Sequence, residues 1–545
     1  MKRTIIWIIA CSGATLAGQA PDGRRGIDWR ADVTLLAREL PQRHPDAFHW
    51  ITRALWDSAT GDLDRRLPGL TRNQALVGIL RLVAMVGDAH TTVEPTPSLG
   101  LRYYPIELYS FDDGLFVRRA DSSAAGLVGA KVLRIGAVTS EQALDRVAAI
   151  VPHENDWWVR AWGPFWLTIP EIVDGLGLAS DVERLPLVVE RDGRIDTVRI
   201  APAGRFSEAH GPVPIDMHRW VSMRQGPAPL WEQRPDQPFW WVIDSTTRSL
   251  YVSLRAVVPG PQSNSNRALW DQVFALVDSA APRRVVIDLR ENLGGNGFLN
   301  RYPIQQILAR PALNRSDRLF VVIGRRTFSA GQQFTNLLEW WTQATLVGEP
   351  SGQRPSQYGD HRPLDLPVSH LTVQISSVFH QAPNEFDTRS FVPPAIYTPL
   401  TSTDYRRGID PAWTAILTPD TAPPVAESVD RLVAAGDPAG AERALRAAQD
   451  AVVNRFRSLE AEINALGYRL LGEGKTGPAV DVLLVNTRVY ARSANAFDSL
   501  GEALLAAGKR EEAIAAYRQA VAIDPGFRPS IAALQRLGAV PTLAH

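Results

Sequence analysis

The chain has 545 residues, 45% of them hydrophobic and 21% charged, a composition that excludes wholesale disorder and a polytopic membrane protein. That length accommodates about three to five domains of ordinary size. Lys+Arg 58 balances Asp+Glu 58, so charge gives no reason to expect nucleic acid as a partner.

The first segment, MKRTIIWIIACSGATLAGQA, starts basic at Lys2 and Arg3, runs apolar from Ile5 to Ala10 and turns to small residues. It reads as a secretory signal peptide over residues 1–20, too short for a transmembrane helix. Ile8-Ile9-Ala10-Cys11 resembles a bacterial lipoprotein box, so Cys11 is either the acylated mature N-terminus or is lost by cleavage after Ala20. Both outcomes predict an exported, periplasmic protein, attached to a membrane only through lipid at Cys11 if at all. Cys11 is the only cysteine, so the mature chain has neither a disulfide nor a thiol nucleophile.

Residues 28–97 carry apolar positions at helical spacing, with Pro41, Pro45 and Pro68 as punctuation, and predict a small N-terminal helical unit. Over 101–204, short runs such as Leu115-Phe-Val117 and Lys131-Val-Leu-Arg-Ile135 predict a β-rich unit. A Trp-rich helical stretch from Asn155 to Gly177 interrupts it. Residues 205–236 are proline-rich and read as a linker. From 237 to 418, strands alternate with helices, the rhythm of a mixed sheet with crossover helices. Residues 425–545 are helical and alanine-rich. Leu466-Gly467, Gly474 and Ala479 recur 34 residues later as Leu500-Gly501, Gly508 and Ala513. This matches the tetratricopeptide helix–turn–helix unit, which packs on its neighbours or holds a partner protein.

Three segments have residues suited to chemistry. Met85-Val-Gly-Asp-Ala-His90 ends a helix at Gly87 and displays Asp88 and His90 at a loop edge. A histidine there is, taken alone, most often structural. Val285-Val-Ile-Asp-Leu-Arg-Glu-Asn-Leu-Gly-Gly-Asn-Gly297 is a strand that runs into glycines, either a tight turn or a backbone site for an anion or oxyanion. It has neither the Gly-Lys-Ser/Thr ending of a phosphate loop nor Gly-x-Gly-x-x-Gly. Leu319-Phe-Val-Val-Ile-Gly-Arg-Arg-Thr-Phe-Ser-Ala-Gly331 is a strand turning into a helix at Ser329. Ser329 is then either a helix N-cap or a nucleophile on an elbow, although Thr327 replaces the first glycine of Gly-x-Ser-x-Gly.

In this order the segments resemble the S41 family of serine peptidases, the tail-specific or C-terminal-processing group that includes the tricorn core protease. The resemblance spans about residues 30–418, on Gly87-Asp-Ala-His90, Asp288-Leu-Arg-Glu-Asn-Leu-Gly-Gly295, Thr327-Phe-Ser-Ala330 and Val347-Gly-Glu-Pro-Ser-Gly352. It implies a multidomain α/β protein. The helical unit would be followed by a degenerate PDZ-like β unit at 101–204, a ClpP/crotonase-like α/β peptidase core at 237–418 and all-α tetratricopeptide repeats.

One branch of the family pairs its serine with a lysine about two dozen residues on. Here that stretch reads Gly352-Gln-Arg-Pro-Ser356, and no lysine lies between Lys131 and Lys475. Arg354 cannot replace it, because guanidinium stays protonated. The tricorn-like branch uses Ser with His, matched by Ser329 and His90, and an acid about 60 residues after the serine. That position falls in Asn384-Glu-Phe-Asp-Thr-Arg389, so Asp387 is expected to support His90, with Glu385 as the alternative acid. Asp88, two residues from His90, is a poorer candidate.

The implied reaction is acyl transfer on peptides or proteins. Ser329 would lie within about 2.6–3.5 Å of His90. The N–H groups of Ala330 and of Gly294 or Gly295 would stabilise the oxyanion. Histidine's ordinary pKa near 6.5 predicts that activity falls with an apparent pKa of about 6–7. The ten histidines show no His-Glu-x-x-His spacing, and no metal or other cofactor is expected. The alternative function is a non-catalytic ligand- or peptide-binding protein on the same scaffold.

Overall fold

The computed structural model describes residues 28–93, 99–206, 220–260, 265–418 and 425–539. The expected signal peptide and Cys11 lie outside the described residues. Among the described residues no helix is long and apolar enough to cross a membrane.

Three helices come first, α1 (Arg30–Arg43), α2 (Arg53–Arg66) and α3 (Arg72–Ala84). Thr52 and Thr71 cap α2 and α3, and Gln74 completes a capping box at Thr71. Gly87 then takes φ +73°, and an added Cβ would lie 2.8 Å from the Trp50 ring. The chain turns there and continues into β1 (Thr92–Val93).

The β-rich region contains β2 (Ile106–Phe111), β3 (Gly114–Ala120), β4 (Lys131–Ile135), β5 (Leu185–Arg191) and β6 (Arg194–Ile200). They form an antiparallel sheet in which β3, β4, β5 and β6 are neighbours in that order and β2 pairs with β3. Between β4 and β5 run α4 (Ser140–Ala148), α5 (Asp156–Trp166) and α6 (Pro170–Gly175). Asn155 caps α5 through the N–H groups of Trp157 and Trp158. The stretch expected as a linker is partly packed: Val221–Ser222 pairs with β3, and Trp231 is buried.

The α/β region contains β7 (Phe239–Asp244), β8 (Ser249–Leu254), α7 (Asn266–Ala280), β9 (Arg284–Asp288), α8 (Arg301–Leu308), β10 (Leu319–Ile323), α9 (Ala330–Trp341) and β11 (Thr345–Gly348). After these come β12 (Gln357–Gly359), β13 (Arg362–Asp365), β14 (Thr372–Ile375), β15 (Val378–His380) and β16 (Ile396–Tyr397). The main sheet has the order β7-β8-β9-β10-β11-β16, parallel except for the β7–β8 pair. Every residue of β9 and β10 is buried, as a parallel sheet covered on both faces requires. Leu319, Val321 and Ile323 join Trp270, Phe274 and Phe334 in one core. Phe320 and Val322 join Trp240, Tyr251 and Ile416 in another, so the period-2 alternation of β10 serves both faces.

The N-terminal helices do not stand apart from this region. β1 pairs with β14, which pairs with β13. The Asp32 carboxylate accepts the N–H groups of Val368 and Ser369 at 2.9 and 2.6 Å. One apolar core runs from Leu36 and Val83 through Val117 and Trp158 to Phe328 and Val373. Residue 90 is thereby fixed against the α/β region.

Seven helices, from Val425–Ala434 to Arg528–Arg536, make the C-terminal region. Its repeat has a packing reason. A Cβ added at Gly467 or Gly501 would lie 2.6 Å from Leu483 or Tyr517 respectively, so each glycine lets a helix pair approach closely. Phe456 meets Trp157, Phe391 and Tyr397 at ring-centroid distances of 6.2, 5.9 and 5.1 Å, joining this region to the α/β region.

Candidate active site

Beyond β10 the chain makes a turn held by Thr327, whose hydroxyl accepts the Gly324 N–H at 3.0 Å and donates to the Leu289 carbonyl at 2.8 Å. Ser329 then takes φ +51° and ψ −124°, a strained conformation for an L-residue. It holds the N-cap position of α9, yet its hydroxyl makes no capping bond. A helix cap would not need this strain, and the cap reading fails.

Two glycines crowd the serine from the end of β9. Gly294 has φ +118°, and a Cβ there would lie 2.5 Å from Ser329 Cβ and 2.9 Å from its Oγ. Its own N–H donates to Asn292 Oδ1 at 2.9 Å, and Asn292 Nδ2 donates to the Leu254 carbonyl at 2.8 Å. Gly294 therefore makes room while its N–H is engaged. The N–H groups of Gly295 and Ala330 have no acceptor among the described residues. Ala330 opens α9, where the helix dipole favours negative charge.

His90 follows a buried carboxylate. Asp88 accepts from His44 Nε2 at 3.2 Å, Thr91 Oγ1 at 2.7 Å, Ser376 Oγ at 2.5 Å and the His90 N–H at 2.9 Å. Burial opposes its charge, but these donors and the nearby His90 hold the Asp88 carboxyl well below the usual carboxylate range. Asp88 thus fixes the loop and leaves the His90 ring to other partners. That ring stacks on Phe328 at 4.3 Å, and Phe328 stacks on Trp158 at 4.2 Å. Burial lowers the imidazole to about 4, against the attraction of Asp88.

The link between Ser329 and His90 is Gln353. Its Oε1 accepts the Ser329 N–H at 2.7 Å, and its Nε2 lies 3.0 Å from His90 Nδ1 and 3.2 Å from Glu154 Oε1. The Ser329 N–H fixes which end of the amide is oxygen, so Nε2 donates to Nδ1. Neutral His90 therefore carries its proton on Nε2. Among the described residues no hydrogen bond joins Ser329 Oγ to His90; the expected direct contact is replaced by this amide. Gln357 Nε2 also donates to the Ser329 carbonyl at 3.1 Å.

The expected acids lie elsewhere. Asp387 pairs with Arg389 at 2.7 Å, and Arg389 also pairs with Glu339 at 2.7 Å. Although burial raises it, the Asp387 carboxyl is held low by Arg389. Glu385 is exposed. The Arg389 guanidinium, two residues on, holds Asp387, and among the described residues no hydrogen bond joins Asp387 to His90. Spacing along the sequence missed Glu154 altogether, and it noticed Gln353 only as the absence of lysine. A cavity of about 770 Å³ adjoins β9 and β10, with Arg118, Arg255 and Arg326 in its wall, but neither Ser329 nor His90 lines it. Among the described residues no cluster of three or more His, Cys, Asp or Glu could hold a metal ion.

No protein-family model matches the chain, and no curated protein does. Among solved structures it is similar to mature CPAF complexed with lactacystin, at 13% identity and TM-score 0.50, covering 70% of this chain and 95% of that one. The photosystem II D1 C-terminal processing protease is matched at 13% identity over 69% and 94% of the two chains, with TM-score 0.33. An S41 protease from Bacteroides fragilis NCTC 9343 is matched at 13% identity over 58% and 82%, with TM-score 0.27. These structural neighbours are S41 proteases. The first likeness shows the fold alone: a mixed α/β multidomain chain folded like that protein.

Proposed function

We propose that this protein is a serine-type peptidase that hydrolyses peptide bonds of exported proteins or peptides. Ser329 is the nucleophile, His90 the general base, and the free N–H groups of Ala330 and Gly295 the oxyanion donors, with Gly294 making room. The observation that carries this reading is the strained Ser329 elbow, whose hydroxyl makes no capping bond and which is followed by an N–H with no acceptor among the described residues. His90 takes the Ser329 proton as Oγ attacks the carbonyl carbon, then gives it to the leaving amine. Nδ1 has the free lone pair and is held by Gln353, so proton transfer requires Gln353 to release it. Residues 101–204 serve as a degenerate PDZ-like unit, and 425–545 as tetratricopeptide-like repeats that offer a surface to a protein partner. The chain is exported to the periplasm, soluble or lipid-anchored through Cys11.

The same amide also favours a second reading. A scaffold whose base is permanently occupied by Gln353 would bind ligands without turning them over. Labelling with a fluorophosphonate probe separates the two. Ser329 labelling that S329A abolishes supports the peptidase, and folded protein that never labels supports the binding protein.

A further inference from the structure

The geometry points to Glu154 as the carboxylate that positions His90, acting through Gln353; this deepens the peptidase reading and rests on it. Gln353 is fully buried and has one acceptor and two donor protons to place. Ser329 N–H occupies the acceptor, His90 Nδ1 takes one proton and Glu154 Oε1 the other. The second Glu154 oxygen accepts the Arg354 N–H at 2.9 Å, so two consecutive residues clamp the carboxyl group. Gln353 leaves Nδ1 for the transfer itself, and Glu154 is the anchor that returns the amide to one orientation; without Glu154 a buried amide proton has no partner and both the Ser329 N–H and the His90 ring lose their fixed position. Among the described residues no other carboxylate has this link. Asp88 reaches only the backbone of His90, and Asp387 is bound to Arg389.

Glu154 can also follow the charge that appears during reaction. When the Ser329 proton moves to His90 Nδ1, that atom becomes a donor, the Gln353 amide must turn, and an imidazolium forms one amide away from Glu154. An ionised Glu154 stabilises that cation by its charge, whichever way the amide then faces. The charged neighbours of Glu154 are Asp88 and Arg354, with Tyr358 nearby. His90 is also faced by Asp88, Asp360, His361 and His380. Burial, with the Asp88 charge behind it, pushes Glu154 up to about 8, so its ionisation falls within reach of a pH profile.

The test measures the rate of Ser329 labelling by a fluorophosphonate from pH 5 to 9.5 in the full chain, with S329A as blank, for E154Q, E154A and E154D. We expect the wild-type rate to rise several-fold with a midpoint near 8, and E154D to keep the rise. E154Q and E154A should lose it and label about tenfold more slowly at pH 9. A rise of wild-type size in either folded variant overturns the assignment. Histidine 15N NMR, with the His90 signal identified by its loss in H90Q, gives a readout independent of turnover. Wild-type His90 should show the Nε2–H tautomer and an inflection near pH 8 that E154Q removes. If the wild type never labels, the peptidase reading fails. The Glu154–Gln353–His90 link still stands if the inflection is present, and falls if it is absent. If E154Q does not fold, E154A and E154D decide by the same criteria.

Discussion

The His90 ring can be tested by protonation. From its ordinary 6.5 the imidazole is lowered to about 4, with burial as the main cause. At about 1.4 kcal/mol per pH unit this separation is worth roughly 3 kcal/mol between folded and unfolded states. The sign follows from which state binds the proton. Between 6.5 and about 4 the unfolded chain protonates this residue and the folded chain does not, so stability is lost as pH falls through that window. Glutamine keeps a polar side chain of similar size and does not titrate. Urea unfolding of the wild type and H90Q at pH 7 and pH 4.5 therefore isolates the His90 contribution, provided the other carboxylates behave alike in both chains. The wild type should lose about 2–3 kcal/mol more than H90Q over that step.

Chemistry should report the same group. Ser329 labelling should stay nearly constant on acidification from pH 6.5 to 5 and fall with a midpoint near 4, well below the 6–7 that an ordinary histidine would give. H90Q should label more slowly by orders of magnitude at pH 7 if His90 is the base that takes the Ser329 proton. Equal pH dependence of stability in both chains, together with a labelling midpoint at 6–7, would refute a buried neutral His90.

Other substitutions test the rest of the site. G294A puts a Cβ 2.5 Å from Ser329 Cβ at φ +118°, so labelling should fall at least about 100-fold, the loss typical of a damaged oxyanion site, while circular dichroism stays near wild type; near-normal labelling would remove Gly294 from the site. D387N should label within about twofold of wild type, because Asp387 serves Arg389; a 100-fold loss would return it to the triad. F456A removes an aromatic plug from Trp157, Phe391 and Tyr397 and should cost about 1–3 kcal/mol in urea unfolding. Truncation after Pro424 should lower stability for the same reason while Ser329 stays reactive; loss of labelling in folded truncated protein would mean that the repeats complete the site.

Composition and periodicity made the strands around Val285–Asp288 and Leu319–Ile323 legible, because buried parallel strands must be apolar throughout and the next residues must turn. Ser329 was legible for the same reason: a serine between such a strand and a helix has few places to be. The 34-residue repeat followed from glycines that the helix contacts at Gly467 and Gly501 require. The boundary between helical and β-rich texture near residue 100 was legible too, but it does not divide the core, since side chains from both regions share one apolar cluster. Sequence texture records local conformation, and core membership depends on which faces meet.

Among the described residues neither Asp387 nor Glu385 is hydrogen-bonded to His90, for a related reason. A carboxylate at a fixed distance after the serine is a statement about chain length, whereas hydrogen bonding is decided by the nearest donor. Asp387 has Arg389 two residues away, and a bidentate guanidinium outcompetes a buried, neutral imidazole. Glu154 lies on the approach to the Trp-rich helix, 175 positions before Ser329 in the chain, and nothing in its neighbourhood marks it as a partner of Gln353. Gln353 has no titratable proton and carries no signature of acid–base chemistry. Its role appears only once the Ser329 N–H fixes the direction of its amide. Stacking of Trp158 on Phe328, and of Phe328 on His90, then shows why a Trp-rich insertion belongs at this site. Those rings exclude water from one side of the imidazole, and burial in turn keeps the imidazole neutral, the state in which it can accept the proton of a serine.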